Sequence, residues 1–225
     1  MTNIALVIFD MAGTTVVDRG NVRQAYIGAL RAHGAPVTES EVRRYMGGSK
    51  RASVAALLRA HKPEADESLV DAAYGTFQQM LERSYEEGNE PIPGTLETFA
   101  WLRESGIKIA LNTGFYRSVM AKILGNLGWH ETVVDCAVCS DDVPEGRPAP
   151  YMIFAAMATV GVADVTRVAA VGDTPLDLQA ATRAGLSGAI GVLSGSHDAV
   201  SLGATRHTHI IPSVAELPEL LAREF

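Results

Sequence analysis

The sequence predicts an α/β fold, a doubly wound parallel sheet with a block of helices inserted after its first strand. Three observations predict it. Leu6-Val7-Ile8-Phe9 is an apolar run long enough for a strand buried on both faces, and it ends in Asp10. From about Asn21 to Glu87 almost nothing reads as a strand and much reads as helix. Beyond Pro91-Ile92-Pro93-Gly94, strand and helix patterns alternate, as the crossovers of a parallel sheet require.

In chain order, Val22, Ala25, Tyr26, Ala29 and Leu30 recur at helical spacing until Gly34 and Pro36. Thr38 with Glu41 has the capping-box spacing that opens a second helix. Met46-Gly47-Gly48-Ser49-Lys50 is a loop, with Ser49 placed to cap a helix carrying Val54, Leu57 and Leu58. A longer helix runs from Leu69 to Tyr85. After Gly94, Leu96, Phe99 and Leu102 form a helix face, and strands follow at 107–111, 133–139, 168–171, 189–192 and 209–211. Helices at 116–127, 151–160, 176–184 and 214–222 separate or close them. The expected organisation is a core built from residues 1–16 and 91–225 and a helical cap from 17–90. The cap pivots near Val17 to Gly20 and near Pro91 to Gly94.

The totals narrow the function. With 19 Lys and Arg against 26 Asp and Glu among 225 residues, the net charge of -7 argues against a duplex nucleic-acid binder, though not against a local basic pocket for a small anion. Cys136 and Cys139, the two cysteines, fall in an apolar strand pattern with no second ligand pair, which speaks against a zinc or redox motif and for a reducing compartment. Asp10 interrupts the N-terminal apolar run too early for a signal peptide or a membrane span. A soluble cytoplasmic protein, monomer or homodimer, with no nucleic-acid or membrane partner is expected.

Polar residues close each core strand where an open α/β sheet binds its ligands. They are Asp10, then Asn112-Thr113-Gly114, then Asp141 with Arg147-Pro148, then Gly172-Asp173-Thr174-Pro175-Leu176-Asp177. Carboxylates for a hard divalent cation, a hydroxyl beside free backbone amides and one guanidinium are equipment for phosphoryl transfer. Thr113 and the amide of Gly114 lie between a strand and a helix and can receive a phosphoryl group, and Thr113 can also cap that helix. Asp177 is also a first-turn acid of the kind the helix dipole favours. Asp141 and Asp142 read as solvated loop acids.

Over essentially its whole length the chain resembles the haloacid dehalogenase superfamily, whose four motifs stand here as Asp10-Met11-Ala12-Gly13-Thr14, Thr113, Arg147 and Gly172-Asp173-Thr174-Pro175-Leu176-Asp177. The resemblance implies a Rossmann-like core in which Asp10 is the nucleophile and forms an aspartyl-phosphoryl intermediate. It implies Mg²⁺ held by Asp10, the carbonyl of Ala12 and Asp173, with Asp177 as a ligand or just behind one, and Gly13, Thr14, Thr113, Gly114 and Arg147 around the phosphorus group.

Position 12 departs from ordinary phosphatases of the superfamily, which place there an aspartate that protonates the leaving alcohol. Asp-x-Ala-Gly-Thr-Thr with arginine at the third motif resembles the phosphonatase branch, which breaks a phosphorus–carbon bond after a cap lysine forms an imine with the substrate aldehyde. Met46-Gly47-Gly48-Ser49-Lys50 is similar to that branch's cap segment. The resemblance thus implies Met46, Gly47 and Lys50 as substrate contacts and Lys50 as imine former, which requires a lowered lysine pKa. Ser53 stands where the branch has histidine, and Val17 to Asn21 does not match it. The expected function is Mg²⁺-dependent hydrolysis of a small phosphonate or phosphorylated compound. A phosphoglycolate-type or sugar-phosphate phosphatase is the alternative. A β-phosphoglucomutase-type mutase lacks its acid at Ala12, and a binding or regulatory protein without turnover leaves the convergent site residues without a use.

Overall fold

The N-terminal apolar run forms a strand, β1 (Leu6–Asp10), buried at every residue. The computed structural model describes residues 2–86 and 88–225. After β1 come four helices, α1 (Asn21–Ala32), α2 (Glu39–Arg43), α3 (Lys50–His61) and α4 (Glu67–Ser84), then α5 (Thr95–Glu104) and β2 (Lys108–Thr113). The chain continues through α6 (Arg117–Leu127), β3 (Cys136–Cys139), α7 (Tyr151–Val160), β4 (Val168–Gly172) and α8 (Pro175–Ala184). It finishes with β5 (Gly188–Val192), α9 (Ala199–Gly203), β6 (His209–Ile211) and α10 (Leu217–Glu224).

The strands form one parallel sheet in the order β3-β2-β1-β4-β5-β6. Strand order therefore reverses at β1, and the crevice beyond the carboxyl ends of β1 and β4 is the switch point where such sheets hold ligands. Alternation along the strands supplies two cores. Val7 and Phe9 point into one, with Phe99, Ile123 and Leu221 from α5, α6 and α10. Leu6 and Ile8 point into the other, with Met152, Ile153 and Leu178 from α7 and α8.

The inserted helices follow their sequence cues. Val22, Ala25, Tyr26, Ala29 and Leu30 are the buried face of α1, and the Tyr26 ring meets Phe77 of α4 with centroids 4.5 Å apart. Both halves of the Thr38/Glu41 capping box form. The two connections between this block and the sheet run side by side: the amide of Val17 donates to Glu90 at 2.9 Å and that of Ile92 to Thr15 at 2.9 Å.

Several boundaries differ from the sequence reading. The strand expected over 133–139 is confined to β3, because the amides of Val133 and Val134 turn back onto His130. The strand expected over 107–111 continues to Thr113. Residues 214–216 form a separate 3-10 turn, closed by Ser213 and Glu216, before α10 starts with Pro218 in its first turn. Helix α9 escapes periodicity because it has one buried residue, Leu202. Ser49 precedes α3 without a side-chain capping bond. Cys136 and Cys139 are unpaired thiols, each pushed up to about 11 by burial, and so are poor candidates for redox chemistry. Among the described residues no helix is long and apolar enough to cross a membrane.

Phe99 fastens α5 to the sheet, with its ring centroid 5.3 Å from that of Phe9 and 5.3 Å from that of Trp129. Phe99→Ala is expected to lower the unfolding free energy by about 3–5 kcal/mol, read as a shifted urea midpoint at unchanged slope; a loss under about 1 kcal/mol contradicts this packing.

Candidate active site

Register brings the polar strand ends together. Asp10 closes β1 and pairs laterally with Asn112, one residue before Thr113 at the end of β2, while Asp173 follows the last residue of β4. Between these ends and the inserted block lies a cavity of about 20 Å³, room for about one water-sized group. Asp10, Ala12, Thr113, Gly114, Arg147 and Asp173 line it from the sheet side, and Met46, Gly47 and Lys50 from the inserted block. Gly13, Thr14 and Asp177 stand outside that lining.

Arg147 is the pivot of the charges. One end of its buried guanidinium donates to Asp10 Oδ1 at 2.6 Å and the other to Asp177 Oδ1. The other oxygen of Asp177 accepts from the amide and the hydroxyl of Thr174, completing a capping box at the start of α8. Asp177 is therefore the anchor of Arg147 and the cap of α8 at once.

Asp173 lacks such a cation. Its Oδ2 accepts from the amide and hydroxyl of Ser196, at 2.7 and 2.8 Å, and the Thr14 hydroxyl is 3.5 Å from its Oδ1. Burial, and after it the nearby charge of Asp10, push the Asp173 carboxyl up to about 6. Two buried carboxylates facing one space are costly unless a cation joins them. Gly13 makes their approach possible: at φ 91° it turns back the loop, and a Cβ there would lie 2.8 Å from Asp173 Oδ2. The Ala12 carbonyl accepts no hydrogen bond among the described residues. No cluster of three acidic, histidine or cysteine side chains exists among the described residues. Two carboxylates plus a free carbonyl are nevertheless the oxygen donors that fit a hard cation such as Mg²⁺.

Lys50, the first residue of α3, is buried with Nζ 3.4 Å from the Gly48 carbonyl and 5.3 Å from the Phe115 ring centroid. Burial, reinforced by the charge of Arg147 and opposed by Asp10, Asp18 and Asp173, lowers its ammonium to about 8. The loop before it presses on the end of β2, since a Cβ on Gly114 would come 2.7 Å from the Gly48 carbonyl. Thr113 is not the cap expected of it: α6 begins at Arg117, and the Thr113 hydroxyl accepts from the Phe115 amide at 3.2 Å, closing the turn instead. Asp141 and Asp142 are tied to Arg117 and to the Cys139 amide.

Sequence reasoning missed the loop after β5. Ser196 fastens Asp173, and the Ser194 hydroxyl donates to the Gly13 carbonyl at 2.8 Å. The available signal was Ser194-Gly195-Ser196, small polar residues at a strand's carboxyl end like those after β1, β2 and β4.

The model of the haloacid dehalogenase-like hydrolases matches residues 4–185. The phosphonoacetaldehyde hydrolase of Parabacteroides distasonis is 34% identical over 88% of this chain and 79% of its own length. That of Bacteroides fragilis is 32% identical over 99% and 87%. A solved structure of a phosphonoacetaldehyde hydrolase-like protein from Oleispira antarctica is similar in fold, with a TM-score of 0.87 at 24% identity over 98% of this chain and 92% of that one. The family match over residues 4–185 places this chain among the haloacid dehalogenase-like hydrolases, where it is similar to the phosphonoacetaldehyde hydrolases.

Proposed function

We propose that the protein hydrolyses the phosphorus–carbon bond of a small aldehyde- or ketone-bearing phosphonate, of which phosphonoacetaldehyde is the simplest. The observation that carries the reading is one small cavity walled by both Asp10 and a buried Lys50 whose ammonium is lowered to about 8. An ordinary phosphatase needs an acid for its leaving alcohol, and Ala12 is none. Ser53, one turn along α3, spends its hydroxyl on the Ser49 carbonyl at 2.9 Å and supplies no replacement. A carbanion leaving group instead needs an electron sink, which a lysine imine provides.

In this reading neutral Lys50 adds to the substrate carbonyl and releases water, leaving a protonated imine. A carboxylate oxygen of Asp10 then bonds to phosphorus as the phosphorus–carbon bond breaks, and its electron pair moves into the imine to give an enamine. Protonation at carbon and hydrolysis of the imine free the carbonyl product, and water on the aspartyl phosphate releases phosphate. Arg147, fixed by Asp177, holds the Asp10 carboxylate in place and offers charge to the phosphorus oxygens. Thr113 and Gly114 line the same cavity, and the hydroxyl of the first and the amide of the second would receive those oxygens. Mg²⁺ held by Asp10, the Ala12 carbonyl and Asp173 would neutralise charge on the phosphorus group, with Asp177 acting through Arg147. Helices α1 to α4 serve as the cap, and a cavity of about 20 Å³ requires that the cap swing on the paired connections near Val17 and Pro91 to admit substrate.

Imine formation requires the neutral amine, so with a Lys50 pKa of about 8 the value of kcat/KM for phosphonoacetaldehyde should rise with pH and level off above that value. A Lys50 that merely binds the phosphorus group as a cation would give the opposite limb, falling above about 8. Borohydride added with phosphonoacetaldehyde should inactivate the protein irreversibly, with the reduced adduct on Lys50; full survival, or an active Lys50→Ala variant, removes the imine. Asp10→Asn should lower turnover by at least about 10⁴-fold with the circular dichroism spectrum unchanged, and turnover within about tenfold of the parent means another nucleophile.

A further inference from the structure

A second, larger cavity of about 330 Å³ adjoins the Asp10 cavity and shares Met46 and Ser196 with it. Its wall carries three guanidinium groups, Arg19, Arg23 and Arg43, and one acid, Asp18. Such a concentration runs against a chain whose net charge is -7. Asp18 balances one of the three, and its Oδ1 also accepts from the amides of Gly20 and Asn21 at 2.9 and 3.0 Å.

The three arginines are not equally satisfied. Arg19 is paired with Glu90 at 2.8 Å, and Arg23 reaches Glu39 only at 3.4 Å. Arg23 Nε is buried without a hydrogen-bond partner, which is costly for a charged donor. Arg43 has neither an ion pair nor a side-chain hydrogen bond among the described residues. Its charge is the second cause, after burial, that lowers the imidazole of His197, which lies outside the lining of this hollow.

Fork-shaped donors, of which Arg43 is unpaired among the described residues and Arg23 only partly paired, grouped in a hollow beside the Asp10 cavity, suit a planar or tetrahedral oxyanion. We propose that this hollow is a second anion subsite and that the preferred substrates carry, beyond the phosphorus group, a carboxylate or second phosphonate held by Arg23 and Arg43. The inference rests on the reading of the Asp10 cavity as the phosphorus site, and it narrows the substrate class to phosphonates whose carbon chain ends in an anion.

Calorimetric titration of the full chain in Mg²⁺ buffer, with simple alkylphosphonates and their ω-carboxylated counterparts of about two to four carbons, tests it. For at least one chain length the carboxylated ligand should bind about tenfold more tightly or better, the effect of one charge-assisted contact. Arg23→Gln and the more exposed Arg43→Gln should each bring that ratio towards one and leave the plain alkylphosphonate within about twofold. The matching α,ω-bisphosphonates tell which anion the subsite prefers. A ratio near one at every length, or a preference that survives both substitutions, overturns the subsite. Failure of plain alkylphosphonates to bind at all overturns the phosphorus site and the subsite with it. Because binding rather than turnover is read, an error about the bond broken or the imine leaves the outcome unaffected.

Discussion

One buried guanidinium sets the geometry of the crevice. Arg147 spans Asp10, at the end of the central strand, and Asp177, in the first turn of α8, and thereby ties the first and last motifs of the chain together. Removing one member of such a buried set leaves an uncompensated charge at a cost of about 3–5 kcal/mol, so each carboxylate constrains where the other groups sit. Asp177 cannot move without releasing the cap of α8, and Asp10 cannot turn without stranding Arg147. Asp173 is the one carboxylate of the three left without a basic partner. That asymmetry is the strongest physical reason to assign it, with Asp10, to a divalent cation.

In the proposed reaction the inserted helices supply a reacting group as well as a cover. Lys50 comes from the first residue of α3, and the Met46-to-Ser49 loop before it lies against Gly114 and Thr174 on the sheet side. This contact buries the amine, and burial is the first cause of its lowered pKa. Opening the cap would rehydrate Lys50 and restore a more ordinary ammonium, so closure and activation of the amine become one event in the proposed mechanism. The arginine-lined hollow lies along the same seam, between the α1 and α2 side and the loop after β5.

Much of this was legible in the sequence because the signals were local. The run Leu6 to Asp10, the Thr38/Glu41 box and the polar residues after β2 and β4 each depend on a few neighbouring residues, and each appears where the spacing put it. What failed was two local turns and one long-range contact. Val133 and Val134 have strand composition, yet their amides bond to His130 in a turn. Thr113 has the chemistry of a helix cap, but α6 begins four residues later, at Arg117. The role of Ser196 depends on contact with Asp173 across 23 positions of chain, which neither periodicity nor motif spacing encodes. The family resemblance implies Asp177 beside a Mg²⁺ ion, and its engagement with Arg147 follows from tertiary packing alone.

The pairing of Asp10 with Asp173 around a shared cation is best tested by titrating Mg²⁺ into the substrate-free protein and into Asp173→Asn and following the heat. One cation per chain is expected in the parent, with affinity at least about tenfold weaker in the variant while its circular dichroism stays unchanged. Equal affinity in the two proteins, or no Mg²⁺ binding in the parent, would contradict the shared site.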